Sequence, residues 1–282
     1  LFLFSCQKNI EKQATPIEEI PTSANSGHGH LQQTKTFSAD VVIRWLNLQL
    51  DMLRVPLAAN TGSQAAERAL AYCGIATYES VVPGMPAYQT LTNQLNGFPE
   101  MPSAEPGKAY HWAESANAAL AEMNRRLFPA TSAANKTAMD DLENSLEAIY
   151  ATEVDAATLE RSRVFGKEVA TRVFNWAATD GFANVNPPYV PPVGPGLWVP
   201  TPFLPSPPNP PGTFAPAAGP YTYQRRKLVP GVANGTELTP PPPFSTTPGS
   251  PFWNMLRELH NASLTLTNDQ KAMADYFKDN PG

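Results

Sequence analysis

Apolar residues recur at helical spacing along most of this chain, then give way to a long stretch with no period at all. Val41, Trp45, Leu48, Met52 and Val55 follow one another at steps of four, three, four and three, which is one face of a helix. Ser38 is placed to cap its start, and Pro56 closes or kinks it. A second helix is predicted over Ser63 to Val82, ending at Pro83-Gly84, with Ala65, Ala66, Ala69, Ala71 and Ala76 small enough for close packing. Asn96 to Gly107 reads as a Pro/Gly loop. A third helix is predicted from Lys108 to Leu127, with Trp112, Ala116, Leu120, Met123 and Leu127 on one side. The fourth, Ser132 to Tyr150, aligns Met139, Leu142, Leu146 and Ile149. The fifth, Ala157 to Ala178, aligns Phe165, Val169, Val173 and Trp176. Each has a polar opposite face, which predicts a bundle with one shared core.

The period breaks at Asp180-Gly181. From Gly181 to Pro251 the chain holds about two-thirds of its 31 prolines, interleaved with Tyr189, Trp198, Phe203, Phe214, Tyr221, Tyr223 and Phe244. Loops this long are ordinarily functional or disordered. Rings and prolines pack at low entropic cost, so an ordered strap is expected, pinned by Trp176 and Trp198, with Pro205 to Pro220 its most mobile part. Helix returns at Pro251 to Ala262, with Phe252, Met255, Leu256 and Leu259. Thr267-Asn268-Asp269-Gln270 then forms a capping box for a last helix bearing Met273, Tyr276 and Phe277. The fold class is therefore all-α, a helical bundle with a long proline-rich irregular strap.

The two ends change the picture. The first residues, Leu1-Phe2-Leu3-Phe4-Ser5-Cys6, read as the tail of a lipoprotein signal peptide whose basic and longer apolar parts would lie upstream. Cys6 is then the lipidated first residue of the mature protein, placing it on a bacterial membrane, on the periplasmic or cell-surface side. The division follows: 1–6 signal-peptide end, 7–37 flexible tether, 38–181 helical bundle, 182–250 strap, 251–282 the start of a second helical segment that reads as truncated. Cys73, in an Ala-rich helical pattern, reads as a small buried thiol.

Composition mostly excludes. A net charge of -5 and a pI near 5.4 give no basic face for nucleic acid. Apolar content of 42% with five Trp argues for a folded chain, and no apolar run is long enough to span a bilayer. Ser26-Gly27-His28 with His30 is ordinary linker composition. His111 and His260 read as structural or solvated, and Arg225-Arg226-Lys227 as a solvated charge run. The carboxylates Asp140, Asp141 and Glu143 fall around a helix instead of converging. No phosphate loop, HExxH, CxxC or GxSxG is present, so no catalytic, cofactor-binding or metal-ligating residue is assigned.

Several segments in order resemble the N-terminal half of bacterial vanadium-dependent haloperoxidase-like lipoproteins, in the superfamily of type 2 phosphatidic acid phosphatases and vanadium haloperoxidases. They are Ala39 to Arg54, Ala71 to Gly84, Leu91 to Gly97, Tyr110 to Met123, Ser162 to Gly181, Asn186 to Pro202, Leu228 to Gly231 and Leu266 to Gly282. The resemblance implies a helical bundle holding vanadate or a phosphoryl group through Lys-x6-Arg-Pro, Ser-Gly-His, and an Arg followed by a His. Such an oxyanion needs several cations and amides around it, and histidines for axial bonding and proton handling. This chain has no Arg-Pro, Lys167 leads only into helix, and Arg172 and Arg226 have no matching His. Ser26-Gly27-His28 precedes the body instead of following a basic motif, and Ser206 to Tyr221 is an insertion. The resemblance therefore implies that the catalytic half lies beyond Gly282. Vanadate is expected for the full-length family, with none bound by this chain. The expected partner is the membrane through Cys6, with self-association open. The alternative is a noncatalytic surface-exposed helical lipoprotein that binds a glycan or protein partner.

Overall fold

The structure, a computed structural model, describes residues 32–54, 63–202, 214 and 216–277. Cys6, His28, His30, Val55, Pro56 and Phe203 lie outside the described residues. Seven helices are present among those described: α1 (Asp40–Arg54), α2 (Ser63–Val81), α3 (Trp112–Leu127), α4 (Ala133–Tyr150), α5 (Ala156–Ala177), α6 (Pro251–Leu264) and α7 (Asn268–Phe277). The described residues form no sheet, only a lone antiparallel bridge between Pro202 and Phe214. None of these helices is long and apolar enough to cross a membrane.

The bundle is built around α3, which touches α1, α2, α4 and α5. Ala113, Ala116, Ala118, Ala119 and Ala121 leave it slim, so neighbours approach on every side. On α5, Gly166 makes the closest approach. A Cβ there would fall within the van der Waals envelope of the Ser115 carbonyl oxygen and meet the Ala118 Cβ at 3.2 Å. The predicted core face of α5 is the observed one, with Phe165, Val169, Val173 and Trp176 all buried.

Burial on all sides corrects one expectation. Much of the polar face of α3 does not meet solvent: Glu114, Ser115, Asn117 and Asn124 are wholly buried, and only Glu122, Arg125 and Arg126 towards its end are partly exposed. A buried polar group must be paired or cost free energy, and here most of these side chains tie a neighbouring helix. Asn117 accepts from Trp45 Nε1 of α1 at 2.9 Å and donates to the Glu143 carbonyl of α4 at 3.1 Å. Asn124 accepts from Gln49 Nε2 at 3.0 Å, and Ser115 Oγ donates to the Ser80 carbonyl of α2 at 2.8 Å. The face of α1 accordingly contains Gln49, fully buried, while Leu48 is only half-buried. On α4, Glu143 and Tyr150 are buried and Ile149 is exposed, the reverse of the simple apolar reading.

Helix ends follow local chemistry. His111 caps α3, which begins at Trp112 instead of Lys108; Ser132 caps α4 and Asp155 caps α5. The predicted capping box at α7 is reciprocal: Thr267 N donates to Gln270 Oε1 at 2.9 Å, and Gln270 N to Thr267 Oγ1 at 3.2 Å. Residues 32–37, within the expected tether, lie against the body through Trp112 Nε1 donating to the Gln32 carbonyl (2.6 Å) and Thr34 Oγ1 donating to the Val81 carbonyl (2.7 Å).

Among its described residues the strap is irregular apart from the Pro202–Phe214 bridge and one short 3-10 turn at Thr222–Gln224. Its firm attachment is at Arg226 to Leu228. Asn96 N donates to the Leu228 carbonyl (2.9 Å), Asn96 Nδ2 to the Lys227 carbonyl (2.6 Å), and Leu228 packs on the core. Trp176 is buried and donates to the Asn96 carbonyl at 3.0 Å, whereas Trp198, also expected to pin the strap, is 48% exposed. α6 and α7 contribute no buried residue.

Candidate functional site

Three polar constellations are built into the body. The first surrounds the start of α3. The His111 backbone N–H donates to Ser162 Oγ of α5 at 2.8 Å, and its Nδ1 accepts from the Glu114 backbone N–H at 3.0 Å. Because Nδ1 accepts, the proton of the neutral ring sits on Nε2, which donates to Glu153 Oε2 at 3.0 Å. Phe37 meets the ring edge-on at 4.7 Å and Tyr150 lies tilted at 4.5 Å. Burial holds the His111 pKa below its ordinary value, against the opposing pull of Glu153. A cavity of about 200 Å³, lined in part by Thr36, Ser38, His111, Tyr150 and Glu153, opens beside it. Both imidazole nitrogens are engaged, so this histidine holds a helix start and presents no free base.

The second constellation joins α3 to α4. Glu114 Oε2 accepts from Asn117 at 3.3 Å, and Oε1 has no partner. Burial, assisted by Glu147 and Glu143 against the Asn117 bond, pushes its carboxyl up to about 8, so it carries a proton at neutral pH. A short distance along, Arg125 bridges Asp140 at 2.7 Å and Glu143 at still closer range. Asp140 and Glu143 do converge, contrary to the sequence reading, because they lie three positions apart on one helix face and Arg125 lies opposite.

The third closes the end of α5. Asp180 Oδ2 accepts from Arg68 Nε at 2.6 Å and Tyr72 OH at 2.9 Å, while Oδ1 accepts from the Phe182 amide at 2.8 Å. Burial pushes the Asp180 carboxyl up, but the Arg68, Phe182 and Tyr72 bonds outweigh it and hold the group below the usual carboxylate range. Arg226 reaches across from the strap to the Trp176 carbonyl (2.6 Å) and Thr179 Oγ1 (2.9 Å), its guanidinium 4.3 Å over the Trp176 ring. The Arg225-Arg226-Lys227 run is thus divided. Arg226 is a clasp, Arg225 lies 4.6 Å over Phe182, and the Lys227 carbonyl receives Asn96.

Against known proteins, this architecture matches a bacterial vanadium-dependent iodoperoxidase of solved structure. The superposition has a TM-score of 0.67 at 22% sequence identity and covers 86% of this chain. The fold is haloperoxidase-like. At that identity the likeness speaks for the fold, and the chain spans 56% of the length of that protein. No family model and no curated protein sequence matches the chain.

A haloperoxidase-like body invites comparison with what an oxyanion such as vanadate would need, and the described side chains do not fit it. Arg68 and Arg125 are committed to carboxylates, Arg226 to carbonyl and hydroxyl oxygens, and Arg126, Arg163 and Arg172 to Glu122, Glu160 and Glu168. His111 offers no free nitrogen, and His260 is exposed on α6. Cys73 is buried, with burial pushing its thiol up to about 12, far from a reactive thiolate. No group of His, Cys, Asp and Glu among the described residues could hold a metal ion. The sequence reading placed Arg226 in a solvated charge run and gave Asp180 and Glu114 no role. The only local signal was Asp180 beside the helix-ending Gly181, whose φ is +85°.

Proposed function

We propose that this chain is the N-terminal helical region of a vanadium-dependent haloperoxidase-like or acid phosphatase-like lipoprotein, and that its oxyanion-binding groups come from a region following Gly282. The observation that supports this reading is the superposition over most of this chain but little more than half of the iodoperoxidase. The exposed apolar residues of α6 and α7 agree with it. Met255, Leu256 and Leu259 on α6 and Met273, Tyr276 and Phe277 on α7 range from 42 to 83% exposed, a face a further helical layer would cover. The fold likeness does not favour the noncatalytic alternative. In this proposal Cys6 carries the lipid that holds the protein to a bacterial membrane.

The test has two arms. The reading frame beyond Gly282 is expected to encode Lys-x6-Arg-Pro, Ser-Gly-His and a further Arg and His. The 282-residue chain is expected to show no vanadate-dependent halide oxidation, no phosphatase turnover and no broadening of the vanadate 51V resonance, whereas the longer protein shows at least one of them. Turnover by the 282-residue chain itself, lost on His111→Ala, would overturn the proposal. Metabolic labelling with a radioactive fatty acid, abolished by Cys6→Ser, tests the anchor; unlabelled wild-type protein contradicts it.

A further inference from the structure

The strap contains a groove that neither the fold nor the proposed chemistry uses. It has a volume of about 510 Å³, within the usual range for ligand clefts, and Tyr189, Trp198, Phe214 and Tyr221 line it together with prolines. Tyr189 and Tyr221 stand edge to face at 6.1 Å. Trp198 is 48% exposed, Tyr189 43% and Phe214 55%. Among the described residues none of the lining side chains is charged, and Asn186 supplies the one amide. Among the described residues, the Trp198 indole N–H and the Tyr189 and Tyr221 hydroxyls have no hydrogen-bond partner. An uncharged channel of aromatic rings with spare N–H and O–H donors matches the chemistry of an extended polyproline segment. Such a segment is already stiff, presents flat apolar rings, and leaves its carbonyls unpaired.

The same chain exposes such a segment. Thr239 to Phe244 reads Thr-Pro-Pro-Pro-Pro-Phe, irregular in the structure, with Pro240, Pro241 and Pro243 exposed. Its end is anchored beside the groove. The Phe244 ring sits 5.3 Å from Phe252 and directly on Gly196, two residues before Trp198. Gly196 has φ +76°, and a Cβ there would meet the Phe244 ring at 2.6 Å, so only glycine admits this contact. Groove and proline run therefore lie near one another on the strap. That neighbourhood allows two copies related by a two-fold axis to exchange segments reciprocally in a closed assembly.

We propose that the strap groove binds the Thr239–Phe244 proline run of a second copy of this chain. The inference is independent of the haloperoxidase-like reading. Sedimentation equilibrium from about 1 to 200 µM is expected to show a monomer–dimer equilibrium. Trp198→Ala, and separately a Pro241→Ser/Pro242→Ser double variant, each weaken it by at least about tenfold. Neither variant alters the bundle, which far-UV circular dichroism and thermal unfolding check. Mixing the two variants restores partial dimerisation, because the mixed pair retains one intact groove and one intact proline run. A free acetyl-TPPPPF-amide peptide shifts the Trp198 indole N–H resonance and dissociates the dimer. A monomer throughout, or a dimer indifferent to both variants and weakened only by Leu259→Asp on α6, would overturn the proposal. So would an indole resonance that ignores the peptide at millimolar concentration, including one that instead responds to a neutral oligosaccharide.

Discussion

The α1–α5 body and the α6–α7 region use similar sequence for opposite ends. In the body even polar side chains are buried, with Asn117, Asn124 and Ser115 spending their hydrogen bonds on neighbouring helices. In α6–α7 even large apolar side chains are exposed, Leu259 at 68% and Phe277 at 78%. Both regions are amphipathic and both are properly capped, so capping and periodicity do not separate them. What separates them is the supply of partners. Helices gain most of their stability from packing an apolar face, and among the described residues α6 and α7 leave most of theirs exposed, although Phe252 meets Phe244 of the strap.

Matched truncations break or sharpen this contrast. Trp112→Ala on α3 is expected to cost about 3–5 kcal/mol in chemical denaturation, because it empties a fully buried site stacked on Tyr110. Tyr276→Ala on α7 removes an aromatic side chain that is 83% exposed, at a cost within about 0.5 kcal/mol. Equal losses at the two sites would erase the distinction between the regions.

The strap's attachment comes next in size. Asp180→Asn leaves Arg68 without its carboxylate and is expected to destabilise the body by about 1.5–3 kcal/mol at pH 7. Because the Asp180 pKa is depressed in the fold, its contribution is present above the unfolded carboxylate pKa and is lost as pH falls through the folded value. The variant should therefore match wild type at strongly acid pH. A deficit that persists undiminished there would show that the clasp is not ionic.

A second pH dependence, of opposite sign, concerns Glu114. Its carboxyl is raised from 4.5 to about 8, so the stability it gives is complete below pH 4.5 and is lost as pH rises through about 8. Glu114→Gln, which keeps the neutral form at every pH, is expected to flatten the decline between about pH 5 and pH 8 in urea titrations. An unchanged decline would mean that Glu114 is ionised within the core.

Much of this architecture was legible. The α5 face, the end of α2 at Pro83-Gly84 and the α7 capping box depend on local spacing and cap chemistry, and all were read correctly. The buried polar face of α3 was not, because a period of 3.6 says only that two faces differ. Whether Asn117 and Asn124 meet water or another helix depends on neighbours remote in sequence. The dense alanine on α3 was the available hint that helices crowd it on every side. The Asp180–Arg226 clasp was hidden for a related reason. It joins a helix end to a strap residue 46 positions away through a backbone bond, Arg226 N to the Asp180 carbonyl at 2.9 Å, with no motif to mark it. The haloperoxidase-like architecture could be read from ordered segments, while the described residues bring no oxyanion cradle together.

Amide hydrogen exchange followed by mass spectrometry tests the central contrast most directly, since protection reports the free energy of local opening. Peptides from residues 112–127 should exchange only with global unfolding, and peptides from residues 251–277 should exchange orders of magnitude faster in the same sample. Equal protection of α3 and α6–α7 in the monomeric 282-residue chain would contradict the account.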